Sequence, residues 1–131
     1  GIVEVYRRVL TDVQERRCFY CRKEISGRSE VDHFVPWSRY PVDLGHNFVL
    51  AHKSCNRDKA DHLAAEEHLE AWCERNRTQG NELQTRLDDL MLPHNIDASV
   101  SIARWAYSQT AEARGLVWVG KRKILKHLGP D

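Results

Sequence analysis

VDHFVPWSRYPVDLGHNFVLAHKSCNRDK, residues Val31–Lys59, is the stretch whose reading decides the fold. Val31-Asp-His-Phe-Val35 and Asn47-Phe-Val-Leu-Ala51 are short apolar runs rich in β-branched and aromatic residues, so each reads as a strand. Pro36 ends the first, because proline cannot donate to a ladder, and Trp37 anchors the exit. With Pro41–Gly45 as a loop between them, the two runs form an antiparallel ribbon. From Cys55 the composition turns helical. Asn56, Lys59, Ala60, Leu63, Ala64 and Ala65 open a helix expected to run through His68, Leu69, Trp72 and Cys73, to bend near Gly80, to resume with Leu83, Leu87 and Leu90, and to stop at Pro93.

Upstream, Ile2, Val5, Tyr6, Val9, Leu10 and Val13 recur at helical spacing, with Glu4, Arg7, Arg8, Asp12 and Glu15 off the stripe. This is an amphipathic helix that delivers the chain to Cys18-Phe-Tyr-Cys21. Downstream, Asp97 is the expected N-cap of a further helix with Ala98, Ile102, Trp105 and Ala106 on one face and Gly115 at its end. Val117-Trp-Val119 reads as extended, and Lys121 to His127 as a last basic helical turn or two. Trp72 and Cys73 are expected in the core, and His46 and His62 as packing or surface residues.

The chain of 131 residues has 41% hydrophobic and 30% charged residues, enough for about one domain with a modest core. We expect residues 1–65 to form the motif-bearing module and residues 66–131 a helical extension packed on it. No apolar run approaches the roughly 18 residues a membrane helix needs, and no signal peptide is visible, which leads to the expectation of a soluble, cytoplasmic protein. The chain begins at Gly1, which suits a piece of a larger protein. The net charge of +1 hides a division: residues 1–60 carry +3, residues 61–92 carry −5 and residues 93–131 carry +3. Segments this slightly positive support nucleic-acid binding only weakly.

Without a secretory signal, the four cysteines point to metal rather than a disulfide framework. Cys18-x-x-Cys21 and His52-x-x-Cys55 offer two clamps of equal spacing, which suits one tetrahedral zinc. Reduced structural thiols and a redox dithiol are the alternatives, although a thioredoxin-like pair would follow a strand and open a helix, whereas this one follows a helix. Asp32-His33 sits on a strand, where an imidazole can accept a proton from water. Asp32 and Asn56 are oxygen donors at hand for a hard divalent ion. The competing reading of Asp32-His33 is a strand-end pair whose histidine is simply hydrogen-bonded.

Taken in order, Val31-Asp-His-Phe-Val-Pro-Trp37, Asn47-Phe-Val-Leu50 and His52-x-x-Cys-Asn56-x-x-Lys59 resemble the HNH endonucleases of ββα-metal fold, in their zinc-knuckle subgroup. The resemblance covers Cys18 to about Leu63. It implies a ββα-metal module with a structural zinc knuckle; with the helices read on either side, the expected fold is α+β, mostly helical, with a C-terminal helical extension. It further implies a metal-dependent DNA endonuclease, with His33 as general base, Mg2+ or Mn2+ at Asp32 and Asn56, and Asn47 in a supporting, orienting role. Zn2+ would sit on Cys18, Cys21, His52 and Cys55, where many relatives have a second Cys-x-x-Cys in place of His52-x-x-Cys55. Arg39 and Lys59 are candidate phosphate contacts. Relatives of this kind occur in restriction, phage-defence and CRISPR-type systems, so a larger parent that supplies target choice is expected. The rival expectation is a noncatalytic zinc-stabilised binding module.

Overall fold

The structure is a computed structural model that describes residues 1–129. Helix α1 (Ile2–Val13) leads through the knuckle to strand β1 (Ser29–His33). A 3-10 turn at Gly45–Asn47 enters strand β2 (Phe48–His52), which passes directly into helix α2 (Lys53–Lys59). Helices α3 (Glu66–Asp89) and α4 (Ile96–Glu112) follow, and the chain closes with a hairpin of β3 (Leu116–Gly120) and β4 (Ile124–His127). The ribbon is antiparallel, with Ser29 opposite His52 and His33 opposite Phe48. This mixed, mostly helical architecture is the expected fold class.

The stripe on α1 buries Tyr6, Val9, Leu10 and Val13, while Ile2 at the frayed end stays exposed. At its C-terminus the Gln14 amide accepts from Leu50 N (2.8 Å) and donates to Leu50 O (3.0 Å), so the helix is tied to the free edge of β2. Four buried residues of that strand, Phe48 to Ala51, the last three fully so, place it in the centre of the core. Long α3 crosses behind the ribbon. Trp72 stacks on Phe34 with centroids 5.1 Å apart and donates from Nε1 to His46 O (2.9 Å). Arg75, also buried, donates to Phe48 O (2.9 Å) and His46 O (2.6 Å), satisfying carbonyls where the turn enters β2. Gly45 permits this approach, since a Cβ there would stand 2.2 Å from Leu87 Cδ1.

Several expectations are corrected. The helix opened at Cys55 ends at Lys59: Ala60 turns to φ 53°, and Leu63 and Ala65 use their backbone groups on Trp118 of β3 (Trp118 N to Leu63 O and Ala65 N to Trp118 O, both 2.8 Å). Those bridge bonds compete with helix continuation, and α3 starts afresh at Glu66. Nor does α3 bend at Gly80; the helix runs through it, and Gly80 O faces His46 Nε2 at 3.1 Å. The cap of α4 is Asn95, which accepts from Ala98 N at 2.9 Å, rather than Asp97. The buried face of α4 is Ser99, Ala103, Ala106, Tyr107 and Thr110, which leaves Trp105 exposed. Cys73 is exposed on α3, one residue round from buried Trp72. Lys121 to His127 forms a hairpin tip and strand rather than helical turns, because Leu125 and Lys126 pair with Trp118 and Val117.

Candidate metal centre and active site

Two reversals of the chain build the zinc-type centre. In the knuckle, Arg22 N bonds to Cys18 O (3.0 Å) and Cys18 N to Lys23 O (2.9 Å), with Arg22 at φ 69°, so that Cys18 and Cys21 face the same point. On the other side, the immediate passage from β2 to α2 sets His52 at the strand end and Cys55 in the first helical turn. The ligand atoms of Cys18, Cys21, His52 and Cys55 all lie within 4.8 Å of one another. A tetrahedron with Zn–S bonds of ~2.3 Å has edges of about 3.7 Å, so the cluster has the size zinc requires. Cys21 Sγ is 3.3 Å from His52 Nδ1, and His52 Nε2 donates to Glu24 O (3.2 Å). That outer bond assigns the proton to Nε2 and leaves Nδ1 as the ligand atom. Burial first, then the neighbouring Cys18 and Cys21, pushes the Cys55 thiol up to about 12. The Cys55 thiol so placed resists ionisation, and a divalent cation is the partner that reverses this. The donor set therefore fits zinc.

Strand alternation divides the second constellation between two faces. Glu30 and Asp32 point toward α2. There, Asn56 Nδ2 donates to Glu30 Oε1 (3.0 Å), and Lys59 Nζ lies 3.2 Å from Asp32 Oδ2 while donating to His33 O at 3.3 Å. The same carboxylate oxygen accepts from Tyr20, one of the two residues between the knuckle cysteines, at 2.5 Å. Burial, then the Asp32 carboxylate, raises the Tyr20 phenol well above its ordinary 10, so Tyr20 remains a donor. On the opposite face His33 packs its ring 4.6 Å from that of Phe48, its cross-strand neighbour, and its Nε2 meets Asp43 Oδ1 at 2.7 Å. Asn47 accepts from Val35 N (2.8 Å) and donates to Val35 O (3.0 Å), which clamps the chain just after His33.

Asp32 and Lys59 thus meet directly, whereas no hydrogen bond joins Asp32, His33 and Asn56 to one another among the described residues. The placing of Lys59 as a surface phosphate contact is corrected: its side chain is 0% exposed, locked between Asp32, the His33 carbonyl and the Tyr20 ring. Arg39 is exposed in the turn after β1. Tyr20, Glu30 and Asp43 were not singled out in the sequence. Period-two spacing from Asp32 marks Glu30, but nothing local marks Tyr20 or Asp43, whose partners lie 12 and 10 residues away.

An antiparallel ribbon that passes directly into a helix, with a Cys/His cluster of zinc size and an Asp-His pair at the end of its first strand, is a ββα arrangement. Residues 18–65 match the model of the HNH endonuclease family, and the three-cysteine, one-histidine cluster fits its zinc-knuckle subgroup. No curated protein matches the chain.

Proposed function

We propose that this chain is a metal-dependent DNA endonuclease domain in which His33 is the general base. The observation that carries the reading is the state of the His33 ring: Nε2 is held by Asp43 at 2.7 Å, no described residue bonds Nδ1, and the side chain is 25% exposed at the end of β1 within the HNH-matching segment. An Asp43 carboxylate on Nε2 selects the tautomer whose Nδ1 is free to accept a proton from water. The phosphodiester would lie over the His33 face, and Asn47 would keep that ring in register through its clamp on Val35. Arg39, exposed in the adjoining turn, would meet a neighbouring phosphate.

Asp32 and Asn56 are the proposed holders of Mg2+ or Mn2+. Asp32 Oδ1 and Asn56 Oδ1 accept no hydrogen bond from any described residue, and oxygen donors of this kind suit a hard ion that keeps several waters. When bound, such an ion supplies Lewis-acid stabilisation of charge on the phosphate and on the leaving 3′ oxygen. One site of this kind cuts one strand, so cleavage of both strands needs a second copy or a second visit. The parent is proposed to be a defence, restriction or CRISPR-type system that provides target choice.

One observation favours the second reading, a noncatalytic binding module: Lys59 already neutralises Asp32 from inside the fold. Nicking of supercoiled plasmid in Mg2+ or Mn2+ separates the two. Wild type should nick, and His33→Ala with full zinc content should be slower by about 10²–10⁴-fold, the usual range for losing a general base. Equal nicking by both proteins would remove His33 from the chemistry.

A further inference from the structure

The hairpin β3–β4 lies outside the HNH-matching segment, yet it is fastened to that segment's helix. Asp58 of α2 accepts from Trp118 Nε1 (2.8 Å) and from Lys123 N (3.0 and 3.1 Å), and Ala64 forms a parallel bridge with Trp118. The clamp uses the backbone N–H of Lys123, whose side chain is exposed and whose charge also acts on Asp58. Three consecutive cations, Lys121, Arg122 and Lys123, are exposed at the tip. Arg122 and Lys123 stand at φ 67° and 52°, where a hairpin turn ordinarily takes asparagine or glycine.

The surroundings extend this charge. Lys121 and Lys23 of the knuckle line one recess beside Cys21 and Cys55, and no acidic residue lines it. Around the other side of α2, Lys53 and Arg57, one helical turn apart and both exposed, line a second recess that again has no acidic wall. Asp58, next to Arg57, directs its carboxylate at the neutral donors Trp118 Nε1 and Lys123 N, and these bonds hold its carboxyl below the usual range, so it remains an anion turned toward the hairpin. The cations therefore flank the zinc-type centre: Lys23 and Lys121 line the recess beside Cys21 and Cys55, and Lys53 and Arg57 stand on α2, the helix that carries Asn56. Discrete point charges spaced along an open, polar surface match a phosphodiester backbone better than a single anion.

We propose that the hairpin tip Lys121–Lys123, with Lys23, Lys53 and Arg57, is a backbone-binding rim that carries the nucleic acid past the HNH module. As a path for the substrate strand, this rests on the nuclease reading; as a binding surface, it is tested separately. Binding of a labelled duplex and of a labelled single strand is measured without divalent ions across a salt series, for wild type, for Lys121→Gln/Arg122→Gln/Lys123→Gln, and for a charge-matched Arg8→Gln/Arg77→Gln/Arg104→Gln protein. Zinc content and thermal melting are confirmed for each. The tip variant should bind about tenfold or more weakly at ~0.1 M salt, and the slope of log K against log salt should fall by about 2–3, near 0.9 for each lost phosphate contact. The charge-matched protein should stay close to wild type.

Equal losses in both variants, an unchanged slope in the tip variant, or no nucleic-acid binding by wild type overturns the rim. Tip-dependent binding to phosphatidylserine vesicles without nucleic-acid binding overturns it in favour of a lipid surface. Plasmid nicking distinguishes the two proposals. A wild type that nicks while the tip variant binds normally removes the rim alone; tip-dependent binding with no nicking removes the nuclease reading and leaves the rim.

Discussion

Lys59 shows how far one side chain can move from its sequence-based expectation. Three residues after Asn56 and at the end of a short cationic helix, it reads as a phosphate contact, yet it is buried with its ammonium 3.2 Å from Asp32. A buried charge persists only when it is paired and hydrogen-bonded, and here the Asp32 carboxylate, the His33 carbonyl and the Tyr20 ring do this together. The pair also couples the two centres, because Tyr20 of the knuckle holds the same Asp32 oxygen. Lys59→Met, similar in length but uncharged, leaves Asp32 facing Tyr20 without its cation. Urea denaturation of the zinc-loaded protein at pH 7 should show a loss of about 3–5 kcal/mol, the usual result of breaking a buried pair from one side. A loss below about 1 kcal/mol would mean that solvent reaches the carboxylate and the pair is weak.

At the scale of elements, α2 is the decisive piece, and its length is set by its end. Ala60 adopts φ 53° and ψ −135°, a region that an L side chain rarely enters, and this turns the chain so that Leu63 to Ala65 can run beside Trp118. The sequence offers no breaker there, since alanine is the best helix former. The bridge to β3 stabilises a conformation that local preference opposes. Ala60→Gly should relieve that strain and stabilise the protein by about 1 kcal/mol in urea denaturation, after allowing for glycine's greater freedom in the unfolded chain. A destabilised Ala60→Gly protein would show that the methyl group packs usefully. The same competition explains the C-terminus: Lys121 to His127 has helical composition, but pairing of Leu125 with Trp118 places it in a hairpin.

At the scale of the molecule, one cluster of buried apolar residues runs from α1 through the ribbon to α3, α4 and the hairpin. Two histidines are buried in the same interior. His68 donates from Nε2 to Val119 O (2.8 Å) between the rings of Trp118 and Tyr20, and His46 lies 1% exposed against Gly80. Burial is the main cause that lowers both below the ordinary 6.5, although each has a carbonyl partner that works the other way. The unfolded chain therefore takes up protons at about 6.5 while the folded protein does not. Their contribution is complete above that pH and is lost as the pH falls through the lower folded values, with a slope of at most about 1.4 kcal/mol per pH unit for each histidine. Denaturation between pH 7.5 and 5.5 should show the decline, and His68→Gln, whose amide can still donate to Val119, should flatten it. Parallel declines in the two proteins would exclude His68 as a source. Among the described residues, no helix is long and apolar enough to cross a membrane.

The sequence by itself determined the local chemistry: the α1 stripe, the ribbon, and the Cys18, Cys21, His52 and Cys55 cluster, because periodicity and ligand spacing are properties of short stretches. It also placed Asp32 and His33 on the first strand and Asn56 on the helix after the ribbon, whereas Asn47, read as the start of the second strand, lies in the 3-10 turn before it. Only the tertiary structure decided what depends on partners distant in the chain. The end of α2 at Ala60 and the unbroken α3 across Gly80 are set by β3 and by His46. Burial of Lys59 needs Tyr20 and Asp32, 39 and 27 residues upstream, and the hairpin needs Asp58, at least 60 residues before its bonding partners. Local propensity differs between states by less than about 1 kcal/mol per residue, and a buried contact with a distant element outweighs it.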